Sequence, residues 1–192
     1  MGWDLWIGAT ISGAELLGEL FIDDYPYISV QNEKGKLAWN VQISQKTTNW
    51  SGTLKYRGAT RWTYTHKGGF SGYFNFNRPL GDSIGCDFDL LSFESYLVKR
   101  KIKLWFMAGI VRKGEGTIFE RPPSGWWPDE YFLTGIVEKK VEIGLGFQKS
   151  LFDGKAVLTV KAIPGYVMNY GHVKGQDRFK FNGLVQIEFR PS

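Results

Sequence analysis

The feature that most constrains the fold is the alternation in residues 179–190. Phe179, Phe181, Gly183, Val185, Ile187 and Phe189 take every second position, and Lys180, Asn182, Leu184, Gln186, Glu188 and Arg190 fall between them. Successive side chains of a strand point to opposite sides of a sheet, so this stretch has one apolar and one wet face. A soluble antiparallel sheet has that pattern. So does a strand of about ten residues crossing a bilayer, with lipid on one side and water on the other.

The same alternation recurs upstream. Trp3, Leu5, Ile7, Ala9 and Ile11 share a face, Ser12-Gly13-Ala14 turns the chain, and residues 15–23 set Leu16, Gly18, Leu20 and Ile22 against Glu15, Leu17, Glu19, Phe21 and Asp23. Leu37, Trp39, Val41 and Ile43 alternate with Ala38, Asn40, Gln42 and Ser44. A fourth strand is predicted over residues 53–64, with Leu54, Tyr56, Gly58, Thr60, Trp62 and Tyr64 outward. Thr53, Lys55, Arg57, Ala59, Arg61 and Thr63 then face inward. Further strands are predicted over 86–96, with Asp87 and Asp89 on one side, and over 102–110, 132–148 and 155–170.

That makes about nine strands, and their connections alternate short and long. Ser12-Gly13, residues 47–51, Lys99-Arg100-Lys101 and Phe152-Asp153-Gly154 are tight turns, the last with an Asp-Gly hairpin signal. Residues 24–35, 65–85, 113–131 and 171–177 are longer. Short turns on one rim and long loops on the other is the asymmetry of an outer-membrane barrel, which a soluble sandwich has no reason to keep. Single-chain bacterial barrels have an even strand number. An odd count therefore predicts at least one further strand upstream. Residues 1–20 also lack a basic n-region and an unbroken apolar core, so an exported form is expected to have lost its signal peptide.

Composition agrees with a sheet. Aromatics make up 16% and glycines 24 of 192 residues, as in strands with aromatic girdles and tight turns. No apolar run of roughly eighteen residues is present, so a closed barrel is the one membrane-spanning option. The net charge is +5, but the 24 basic and 19 acidic residues are mixed along the chain, which argues against nucleic acid as a partner. The single cysteine, Cys86, has no internal disulfide partner and reads as a small buried or lipid-facing residue.

Two stretches resemble a known family. Gly13-Ala14-Glu15-Leu16-Leu17-Gly18-Glu19-Leu20-Phe21-Ile22-Asp23-Asp24 resembles the strand ending in a double aspartate of the Wzi-like capsule-assembly outer-membrane proteins. Trp62-Thr63-Tyr64-Thr65-His66-Lys67, with Asn77-Arg78-Pro79-Leu80-Gly81-Asp82-Ser83-Ile84-Gly85-Cys86-Asp87 after it, resembles the strand, loop and Pro-Leu-Gly segment that follow in that family. The resemblance implies the C-terminal part of an outer-membrane barrel of a Gram-negative-type bacterium, in contact with membrane lipid and surface or capsular polysaccharide. That family's barrels are larger and begin with a signal. The expectation is therefore one all-β domain over residues 1–192, an antiparallel up-and-down transmembrane barrel or an open arc of a larger one.

Chemistry is sparse. Asp23 and Asp24 read as a carboxylate pair or simply as a strand end, and His66 and His172 have no spacing that supports a metal. No catalytic triad and no phosphate loop is present, so neither enzyme activity nor a cofactor is expected. Lys55, Arg57 and Arg61, opposed by Glu19, Asp23, Asp87 and Asp89, form the sharpest constellation: either charge ladders that orient a polar solute or mutually neutralising lumen charges. Trp126 and Trp127, between prolines, read as a sugar-stacking rim or as an interfacial anchor. A soluble β-barrel with an apolar or sugar ligand inside is the alternative, and it requires the Phe181, Val185 and Ile187 face to be the interior.

Overall fold

The computed structural model describes residues 3–23, 36–65, 74–75, 78–79, 82–120, 131–152 and 155–189. Its strands are β1 (Trp3–Ile11), β2 (Ala14–Asp23), β3 (Lys36–Lys46), β4 (Trp50–Ala59), the two-residue β5 (Phe74–Asn75) and β6 (Arg78–Pro79), β7 (Phe88–Lys99), β8 (Ile102–Lys113), β9 (Glu138–Leu151), β10 (Ala156–Met168) and β11 (Arg178–Phe189). Nine of them form one sheet in the order β1-β2-β3-β4-β7-β8-β9-β10-β11, every neighbour antiparallel, while β5 and β6 pair with each other. The expected all-β up-and-down architecture is present. Among the described residues β1 and β11 are not paired with each other, so the sheet is open.

Tight turns close one rim. Ser12 and Gly13 take φ of 50° and 80°, the positive pair that a two-residue hairpin needs to match strand twist. Residues 47–49, 100–101 and 152–155 connect the other hairpins on that rim. The strand ends that the long connections join all lie at the opposite rim.

Register fixes two faces. Leu91–Ile110–Val141, Phe93–Ala108–Ile143, and Leu97–Leu104–Phe147 are rows of paired residues across β7, β8 and β9. The row Ser95–Phe106–Leu145 lies among them, with one hydroxyl. The other face carries Glu94, Tyr96, Lys103, Trp105, Lys140, Glu142 and Gln148. Burial is inverted with respect to hydropathy. On β9, Val141, Ile143 (51%), Leu145 (61%) and Phe147 are exposed, while Glu142, Gly144, Gly146 and Gln148 between them are buried or half-buried. β8 and β4 repeat this inversion. The polar face is thus the more enclosed one.

The buried apolar core is small and sits on that enclosed face at the long-loop rim. Ala38, Ala59 and Phe88 form one row across β3, β4 and β7, with Phe21, Tyr64, Ile84 and Leu90 packed around them. Phe21 and Tyr64 stack at 5.7 Å.

β4, β7 and β9 each have an end at the long-loop rim that falls short of the alternation pattern, each for a backbone reason. β4 stops at Ala59 because residues 60–65 turn: Thr63 N–H donates to Thr60 O and Thr65 N–H to Trp62 O, and Tyr64 has φ 67°. β7 starts at Phe88 because Asp87 takes φ 55°, outside the strand region. β9 starts at Glu138 because Leu133 and Gly135 have φ of 53° and 68°, which bend residues 131–137 along the rim.

Candidate functional site

The enclosed face carries the predicted charges of β2 and β4. Glu19, Asn40 and Arg57 are paired neighbours in one row, and Gln42 and Lys55 lie in the next. With Phe21, Tyr64, Asp82 and Ser83, the residues Glu19, Asn40, Lys55 and Arg57 line a cavity of about 380 Å³. Arg57 Nη1 makes an ion pair at 2.6 Å with Asp82, a partner 25 positions away that alternation alone does not reveal. Asn40 Oδ1 and Arg57 Nε are enclosed atoms with no protein hydrogen-bond partner. A buried acceptor and a buried donor side by side call for water or a polar solute between them. Asp23 ends β2, paired with Lys36 of β3.

Arg61 and Asp87 belong to the rim instead. The Asp87 carboxylate is fully buried and accepts from Gly116 N–H (2.9 Å), Thr134 N–H (3.2 Å) and Thr134 Oγ1–H (2.7 Å). Arg61 donates to Thr134 Oγ1 (3.0 Å) and through Nε and Nη2 to Glu120 Oε2 (3.1 and 3.0 Å). A β-carbon at Gly114 or Gly116 would run into the Asp87 side chain, so glycine is required at both positions. Glu115 accepts from Ile136 N–H, His172 Nδ1 meets Ile136 O at 2.8 Å, and Asn169 donates to Val137 O. These contacts tie the described bases of three long connections into one rim. Cys86 lies within it, and burial pushes its thiol up to about 12.

Asp89 faces the other way. Two positions from the kinked Asp87, it lies on the apolar face in the row Trp39–Gly58–Asp89–Arg112–Lys139. It is 4% exposed, accepts from Arg112 at 2.9 and 2.5 Å, and takes the Tyr56 hydroxyl at 3.2 Å. The seven predicted charged residues therefore divide. Glu19, Lys55 and Arg57 share one cavity, Arg61 and Asp87 hold the rim, Asp89 caps the apolar face, and Asp23 marks a strand end. Trp126, Trp127, His66 and Asp24 lie outside the described residues. No cluster of three metal-ligating side chains occurs among the described residues.

A second group lies toward the short-turn rim and was not singled out in the sequence. Glu94 Oε1 accepts from Trp105 Nε1–H and Tyr96 Oη–H, both at 2.6 Å. The Trp105 ring packs over Gly144 and Gly146: a β-carbon at Gly144 would collide with the ring and with Met107, and one at Gly146 would meet the Val160 carbonyl oxygen and Lys161 Cγ first, with the ring close behind. Lys161 Nζ sits 4.5 Å from the Trp105 ring centre and Lys103 Nζ 3.9 Å from that of Tyr96. The Gly144-Leu145-Gly146 spacing was the available signal, since two glycines on one face of a strand leave room for a large ring opposite.

No protein-family model matches the chain, and no curated protein or solved structure matches it either.

Proposed function

We propose that this chain is a wall section of an outer-membrane β-barrel of a Gram-negative-type bacterium. Its enclosed polar face serves, without catalysis, as a pore lining or binding surface for surface or capsular polysaccharide, in keeping with its resemblance to the capsule-assembly family. One observation carries the membrane part. On the apolar face, charge returns in two rows only across β7, β8 and β9: Asp89–Arg112–Lys139 at one end and Lys99–Ile102–Lys149 at the other. Those rows are about ten strand positions apart, or roughly 33 Å of strand at 3.3 Å per residue. At a barrel tilt of about 40° that is roughly 25 Å along the membrane normal, the height of the apolar band of an outer-membrane barrel.

Support for solute handling comes from the opposite face, where Arg57, Lys55, Glu19 and Asp82 surround a cavity whose lining residues include the unsatisfied atoms Asn40 Oδ1, Arg57 Nε and Trp39 Nε1. A soluble barrel with an apolar interior needs the reverse polarity. The test is reconstitution of the full chain into liposomes. The expected result is protein that floats with the vesicles after an alkaline carbonate wash and retains capsular polysaccharide on the vesicles. Protein that stays monodisperse without detergent and leaves vesicles in the wash overturns the reading.

A further inference from the structure

From the Lys103–Lys161 cluster we infer a second binding site on the enclosed face, specific for a carboxylate-bearing saccharide. The inference rests on that face being the solute-facing side. The site is a cavity of about 210 Å³ whose lining includes Tyr96, Lys103, Trp105, Gln148, Thr159 and Lys161. Adjacent rows build it: Tyr96–Trp105–Gly146–Lys161 and Val98–Lys103–Gln148–Thr159. The Trp105 ring, with Lys161 Nζ 4.5 Å from its centre, forms one wall of the cavity.

The charge arrangement points to an anion. Three other cations of this face are occupied, Arg57 by Asp82, Lys140 by Glu142 at 2.7 Å, and Lys113 by the carbonyls of Gly114 and Gly116, while Arg178 and Lys180 share the single Tyr170 ring near the opposite rim. Lys103 and Lys161 each rest on a separate aromatic ring, with no carboxylate oxygen among the described residues within ion-pairing distance. A cation over a ring face is held in place without using its N–H donors. The nearby carboxylate, Glu94, is pinned by the Trp105 and Tyr96 donors. Two ammonium groups against one carboxylate leave a single net positive charge, which suits one carboxylate better than a dianion.

The remaining lining is polar in a way that suits a sugar ring. Gln148 Nε2 donates to Thr159 Oγ1 at 3.4 Å, which leaves Gln148 Oε1 to accept from a ligand hydroxyl. The uronate carboxylate accepts from the two ammonium groups and a ring hydroxyl donates to Gln148.

The test is equilibrium dialysis of the full chain, folded in detergent micelles, against glucuronate, glucose, acetate and inorganic phosphate at low and high salt. Glucuronate is expected to bind in a salt-sensitive way, tighter than acetate or phosphate, with glucose not retained. Lys103→Gln and Lys161→Gln should each weaken it about tenfold, the loss of one charge-assisted contact. Glu94→Gln, which keeps an acceptor for Trp105 and Tyr96, should tighten it, a result that a structural role for the lysines does not give. Far-UV circular dichroism confirms that each variant is folded, and Lys161→Arg, which keeps the charge, covers a misfolded Gln variant. Glucose retained as well as glucuronate, or lysine variants that bind normally, overturns the inference. Phosphate equal to glucuronate reduces the site to oxyanion binding and overturns the saccharide assignment. Capsular polysaccharide retained by folded Lys103→Gln and Lys161→Gln proteins, with no uronate binding to wild type, overturns this site alone and leaves the proposed function standing.

Discussion

Leu145→Arg separates a lipid-facing from a water-facing apolar surface. Leu145 is 61% exposed, so it makes little contact within the sheet and its replacement removes little packing. What changes is the medium around the guanidinium. Leu145 lies between Lys139 and Lys149 on its own face of β9, about six positions from one and four from the other, so its depth is roughly 15 Å and 10 Å from the two charged rows after tilt. That is near the middle of the apolar band, where arginine on the lipid face of a barrel costs about 2–4 kcal/mol. On a water-facing sheet the same change falls within about 0.5 kcal/mol of wild type. Denaturant unfolding of the chain in lipid vesicles, followed by tryptophan fluorescence, reads the difference directly. Gln186→Arg, on the opposite face of β11, is the matched control and should leave stability unchanged. The reasoning fails if Leu145→Arg unfolds within 0.5 kcal/mol of wild type, or if Gln186→Arg is as damaging.

Three further predictions concern the rim and the enclosed face. Asp87→Asn places an amide NH2 where the carboxylate accepts from Gly116 N–H and Thr134, so at least one buried donor loses its partner. A loss of about 1–3 kcal/mol is expected, together with faster proteolysis of the long-loop rim and unchanged cleavage of the short turns. Gly144→Ala drives a methyl into Trp105 and Met107, with an expected cost of about 1–3 kcal/mol and a red-shifted tryptophan emission; Gly8→Ala, which meets open space, is the neutral comparison. The Cys86 thiol, held near 12 by burial, should not react with a disulfide reagent at pH 8 until the protein is unfolded. Because the folded value lies above that of a free thiol, the stability contributed by this protonated group is intact below pH 9 and falls as pH rises from there toward 12. A steeper loss of unfolding free energy in wild type than in Cys86→Ser over that range checks the sign.

The sequence by itself determined the sheet. A period of two places every second residue on one face whatever the strand's partners, and tight-turn chemistry at Ser12-Gly13 and Lys99-Arg100-Lys101 sets which strands are neighbours, so the nine-stranded order and both faces were legible locally. Tertiary structure decided what alternation does not encode. Asp87 and Asp89 share a parity, and a strand through both would put them on one side. The φ of 55° at Asp87 breaks that phase, sending Asp87 into the rim and leaving Asp89 on the apolar face with Arg112. Arg61 likewise falls past the end of β4, where its partners Glu120 and Thr134 come from a distant connection. The Glu94–Trp105–Lys161 group needed four strands in register, with two glycines on β9, before its contacts existed. Period two fixes only that two faces differ; that the polar face is the more buried one, as expected for the inward charges of β4, is a property of the packed sheet, read from the burial of β4, β8 and β9.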